Sequence, residues 1–134
     1  MRASTGGHNS PLRVLIADKC AHFRETVRRV LSQQPEALVV GEAETLLDAA
    51  REATARDPDI VLLDIELVMN EDPARLRRLA EAFPYLQVVV MLNEDSADYR
   101  AAVGERWGYS CIVKEQAEED LASIVGAPSG RVVR

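Results

Sequence analysis

Two cysteines in 134 residues, Cys20 and Cys111, are too few and too far apart to frame a disulfide scaffold. No stretch approaches the roughly 18 uninterrupted apolar residues of a membrane helix. The amino terminus, Met1 to Pro11, is polar and lacks the apolar core of a signal peptide. Residues 1–11 are therefore expected to form a disordered leader, and the compartment to be the cytoplasm. Internal repeats and low-complexity tracts are missing as well. Positive charge is outnumbered, with 16 basic against 22 acidic residues and a net charge of −6, which argues against bulk electrostatic attachment of this chain alone to nucleic acid. Lysine is scarce: there are fourteen arginines but only Lys19 and Lys114. What remains, 47% hydrophobic and 28% charged residues, is the composition of one soluble globular domain large enough to bury a core.

The informative residues close three apolar runs. Val14–Ala17 leads into Asp18, Ile60–Leu63 into Asp64, and Cys111–Val113 into Lys114. Charge is costly inside a parallel sheet, so these three are expected at its carboxyl edge, where open α/β folds place their chemistry. Two carboxylates and an ammonium suit a cation, a phosphoryl group, or both.

Strand-like and helix-like segments alternate five times. Strands are expected over residues 12–18, 37–43, 59–64, 87–92 and 109–113. Helices are expected over 21–34, 46–56, 73–83, from Asp95 or Ser96 through Val103, and over 117–125, with Thr45 as an N-cap and Pro73 in a first turn. Five βα units give a doubly wound parallel sheet with five helices. The domain spans residues 12–126, and 127–134 read as a loose tail. The first βα loop, Asp18 to His22, has no glycine-rich phosphate cradle, which weighs against a flavodoxin-like enzyme or nucleotide binder. Cys20 and His22 lack the further ligands of a zinc site.

Taken in order, Val14–Asp18, Phe23-Arg24-Glu25, Val39-Val40-Gly41-Glu42-Ala43, Pro58–Ile65 and Ile112–Glu115 resemble the receiver domain of bacterial response regulators, in its NarL/LuxR type. The resemblance implies the flavodoxin-like receiver fold with strand order 2-1-3-4-5. It implies that Asp64 is the phosphoacceptor for a sensor histidine kinase and that Lys114 contacts the phosphoryl group. Magnesium would be held by Asp18, Asp64 and the backbone carbonyl of Glu66.

The chain departs from the family pattern at the switch parts. Lys19 stands where the second acid of the metal-binding pair is expected. Leu92 replaces the switch threonine or serine, and Cys111 the switch tyrosine or phenylalanine. The loop after the acceptor, Leu67-Val68-Met69-Asn70-Glu71-Asp72, has lost its proline and both glycines. An ammonium in place of a ligand carboxylate removes a ligand and changes the local charge by two. At roughly 1 to 4 kcal/mol per close charge pair, magnesium should bind weakly or not at all, and the Lys19 ammonium could itself neutralise Asp18 and Asp64.

These features lead to the expectation of an atypical receiver, or pseudo-receiver, that is not an enzyme and works through a protein partner or as a homodimer, without contact to nucleic acid or membrane. The alternative is a working receiver phosphorylated at Asp64 by a histidine kinase and controlling a DNA-binding output domain. Two faces compete for the interface. One carries Tyr99 and Trp107 with the acidic residues Glu115, Glu118, Glu119 and Asp120; the other would set Arg24, Arg28 and Arg29 against that acidic run across a two-fold axis.

Overall fold

Alternation along each strand decides which side chains face which helical layer. In the computed structural model, which describes residues 10–107 and 109–126, five parallel strands are ordered β2-β1-β3-β4-β5. They are β1 (Leu12–Ala17), β2 (Ala37–Ala43), β3 (Ile60–Asp64), β4 (Gln87–Leu92) and β5 (Ser110–Val113). Val14, Ile16, Ile60, Leu62, Val89, Met91 and Ile112 pack on one side against α1 (Ala21–Ser32) and α6 (Ala117–Gly126). The intervening residues, Leu15, Ala17, Val61, Leu63, Val88, Val90 and Leu92, pack on the other. That second layer is built from α2 (Leu46–Arg56), α3 (Ile65–Asn70), α4 (Pro73–Ala82) and α5 (Ala97–Trp107).

Local chemistry sets the ends of these elements. The Thr45 hydroxyl accepts the Asp48 N–H at 3.0 Å and starts α2. Asp72 accepts the Ala74 N–H at 3.0 Å ahead of Pro73, and Ser96 accepts the Tyr99 N–H at 3.3 Å. Asp57 ends α2 in the left-handed conformation, φ 51°, immediately before Pro58.

The expected count of five helices is corrected to six, with a short 3₁₀ turn over Lys114–Gln116. The addition is α3, which starts directly after Asp64. Stripped of proline and glycine, this segment has nothing to stop a helix, and Ile65, Leu67 and Val68 are buried on one side of it.

The edge strand β2 carries a bulge. Val14 pairs with Val39 but Leu15 pairs with Gly41, so Val40 is the extra residue. The shift brings Glu42 opposite Ile16, and so to the α1 side of the sheet. A Cβ at Gly41 would lie 2.6 Å from the Glu52 carboxylate, so a larger residue there would require that side chain to move.

The leader up to residue 9, the tail 127–134 and the side chain of Trp107 lie outside the described residues. No helix among the described residues is long and apolar enough to cross a membrane.

Candidate functional site

In the order 2-1-3-4-5 the chain leaves β1 toward one edge and β3 toward the other, so the sheet's switch point falls between these two neighbours. Asp18 and Asp64 follow from the ends of β1 and β3 and meet there, both buried at 1% and 3% exposure. β5 lies two strands from β3, about 10 Å away at the usual strand spacing. Only a long side chain can return from it, and Lys114 does so. Its Nζ sits 2.7 Å from Asp18 Oδ2 and 3.0 Å from Asp64 Oδ1. The three residues read from the ends of apolar runs thus form one ammonium bridging two carboxylates.

Electrostatics follow from burial and from the count of charges. Burial pushes the Asp64 carboxyl above the usual carboxylate range; Asp18 and Glu66 add to this, while Lys114 works against it. Burial alone would lower Lys114, but its close ion pairing with Asp18 and Asp64 wins and raises it. The lysine is held as an ammonium. Phe23 of α1 supports that state, with the Lys114 Nζ 4.5 Å from the centre of its ring.

Asp18 is held from three sides. Its backbone N–H donates to the Ala43 carbonyl at 2.9 Å, and its Oδ1 accepts the Cys20 N–H at 2.8 Å. Its backbone carbonyl accepts from Arg24 Nη1 at 2.6 Å. Arg24 also donates through Nε to Glu42 at 2.8 Å, and Arg28 pairs with the other Glu42 oxygen. Burial would raise Glu42, but the two arginines hold its carboxyl below the ordinary range.

Several expected residues are not part of this cluster. Lys19 is exposed and makes no ion pair among the described residues, so the ammonium that neutralises the aspartates is that of Lys114, not Lys19. The peptide turn after Asp18, fixed by Cys20 and Arg24, carries Lys19 outward. Glu66 has an exposed side chain and lies in the first turn of α3. Carbonyls in an α-helix point along its axis toward the residue four ahead, so the Glu66 carbonyl is directed toward Asn70 rather than the aspartates.

Leu92 and Cys111 are both buried on the α5 side, and burial raises the Cys111 thiol against the pull of Arg100. Arg24 and Arg28 both pair with Glu42 within the same chain, while Arg29 is exposed. Asp120 turns inward, accepting the Val113 N–H at 3.5 Å, while Glu115, Glu118 and Glu119 stay exposed. The role of Arg24 and Glu42 at the site was legible only as parts of motifs. Their joining requires the β2 bulge, which no spacing rule reports.

Comparison with known proteins places this geometry. The response regulator receiver domain family model matches residues 14–126. The transcriptional regulatory protein DegU of Brevibacillus brevis is 26% identical over 118 residues, covering 88% of this chain and 50% of that protein. A protein-glutamate methylesterase/protein-glutamine glutaminase of Rhizobium johnstonii is 32% identical over 126 residues, covering 89% of this chain and 36% of that protein. The chain therefore spans half or less of the length of these relatives. Among solved structures, the RcsB response regulator of Salmonella typhimurium aligns with TM-score 0.80 and 22% identity over 93% of this chain and 63% of that one. The signal receiver domain of the response regulator NarL from Mycobacterium tuberculosis aligns with TM-score 0.70 and 22% identity over 88% of this chain and 98% of that one. These two likenesses concern the fold.

Proposed function

The chain belongs to the family of response regulator receiver domains of two-component signalling, and from that premise we propose that it is an atypical receiver. On this reading it acts through protein–protein contacts in signal transduction or transcription control, with little or no magnesium-dependent phosphorylation of Asp64. The observation that carries the reading is the Lys114 ammonium lying between Asp18 and Asp64 at 2.7 and 3.0 Å while the position of the second acid is held by an exposed lysine.

Magnesium requires a near-octahedral shell of oxygen ligands, and the residues at the site are a poor fit to it. Two carboxylates remain, both turned to an ammonium. Lys19 supplies a charge of the wrong sign, the Glu66 carbonyl is committed to α3, and no group of three acidic, histidine or cysteine side chains among the described residues could hold a metal. Leu92 and Cys111 weaken the relay as well: Leu92 has no hydroxyl to bond a phosphoryl oxygen, and Cys111 has no large ring to rotate.

A domain with this site offers its partners a surface. The α5–β5–α6 side, which carries Tyr99 at 42% exposure on α5 and the exposed Glu115, Glu118 and Glu119 after β5, is the face proposed for a protein partner or a second copy of the chain.

Incubation with acetyl phosphate and magnesium, read by intact mass, is the direct test. The wild-type chain should keep its unmodified mass, and Lys19→Asp, which returns a carboxylate to the position of the second acid, should bind magnesium more tightly in a titration followed by the amide shifts near Asp64. Stoichiometric phosphorylation of the wild type at Asp64 would instead support the working receiver under a histidine kinase.

A further inference from the structure

Asp18 offers two oxygens, and the site needs one of them aimed at Lys114. Oδ1 is taken by the Cys20 N–H, which leaves Oδ2 for the ammonium. The orientation of that carboxylate therefore depends on the peptide turn that follows Asp18. This turn is held by a guanidinium. Arg24, its side chain only 13% exposed, reaches back from the first turn of α1 to the Asp18 carbonyl at 2.6 Å. It is itself anchored by Glu42 at 2.8 Å, with Glu44 further out at 3.9 Å.

We propose that Arg24, clamped by Glu42 across the β2 bulge, is the positioning residue of the Asp18–Lys114–Asp64 site. The guanidinium fork is suited to this because it bonds a carbonyl and a carboxylate at the same time in fixed directions, which a lysine ammonium does less well. Arg28 provides the internal contrast: it binds the same Glu42 yet is 53% exposed and has no contact with Asp18 among the described residues. The β2 bulge is what turns Glu42 to the α1 side where both arginines stand.

The inference rests on the reading of the triad as the resting state of the site, and the chain's composition allows the two to be separated. Only Lys19 and Lys114 carry side-chain ammonium groups. With ¹⁵N-lysine labelling of the whole chain at one fixed, mildly acidic pH, the triad reading requires a slowly exchanging Lys114 ammonium signal and a fast-exchanging Lys19. Arg24→Met should speed exchange at Lys114 by about tenfold or more, the scale of losing a hydrogen bond to a charged group. Glu42→Gln should speed it by a smaller factor, and Arg28→Met should leave it at the wild-type rate. The Cys20 amide proton, which reports its bond to Asp18, should shift in Arg24→Met and stay in place in Arg28→Met.

Wild-type exchange at Lys114 in Arg24→Met, or equal acceleration in Arg28→Met, overturns the positioning role while leaving the triad intact. Should Arg24→Met fail to fold, wild-type exchange in Glu42→Gln overturns it equally. A Lys114 ammonium that already exchanges fast in the wild type removes the triad itself, and the proposal with it.

Discussion

The two flanks of the carboxyl edge are built on different principles. On the α1 side, Val27 and Leu31 bury an apolar stripe, and Arg24, Arg28 and Glu42 add a charged clasp between helix and sheet. On the α5 side, Val103 is the one buried residue among the described side chains of the helix, and beneath it lie Leu92 and Cys111, neither of which offers a switch group. Directional bonds specify a position, whereas apolar contacts tolerate several. The first flank is thus set to hold the site in one arrangement, and the second is free to serve as a surface.

The strongest way to break this contrast is to remove the group that both flanks share. Lys114→Met leaves Asp18 and Asp64 buried without their ammonium, and should destabilise the domain by about 3–5 kcal/mol in urea unfolding. A loss below about 1 kcal/mol, the scale of an exposed pair, would mean that the triad is effectively solvated. Next in size is Val103→Ala. Deleting two buried methyl groups should cost about 1.6 kcal/mol, and hydrogen exchange should rise across α5 while α1 keeps its protection. Equal opening of both helices would erase the distinction between the flanks.

Asp64→Asn probes the site from the other direction. Because the folded-state pKa of Asp64 is raised above the ordinary 3.8, the folded chain holds this proton more tightly than the unfolded one. The contribution of Asp64 to stability is therefore complete below the unfolded value and is lost as pH rises through the folded one. At neutral pH Asp64→Asn should therefore stabilise the domain, and the advantage should fade as pH is lowered toward that of a free carboxylate. A gain that persists unchanged in acid would trace to something other than the buried charge. The smallest effect on stability is expected for Tyr99→Ala, within about 0.5 kcal/mol for an exposed residue. Sedimentation at rising concentration should nonetheless show weaker self-association if α5 is the contact face, and identical sedimentation would shift the interface elsewhere.

The βα alternation, the strand cores and the three residues Asp18, Asp64 and Lys114 were readable from the chain alone, because alternation and the cost of burying charge are local rules. Pro35, Pro58, Pro73 and Pro84 punctuate the chain between or at the starts of elements, and their meaning needs no partner. Helix α3 was less visible: the loss of proline and glycine between Leu67 and Asp72 was plain, but its result as a helix depended on Ile65, Leu67 and Val68 finding a buried surface.

Which cation neutralises the aspartates could be decided only in three dimensions. Lys19 adjoins Asp18 in sequence yet faces solvent, while Lys114, ninety-six residues away, meets both carboxylates. Chain neighbours in a turn diverge as the backbone rotates, whereas parallel strands bring their ends to one edge whatever their separation in sequence. The Arg24–Glu42 clasp has the same origin. One extra residue at Val40 selects the face on which Glu42 emerges. A bulge is a property of the pairing between two strands, so neither strand can declare it alone.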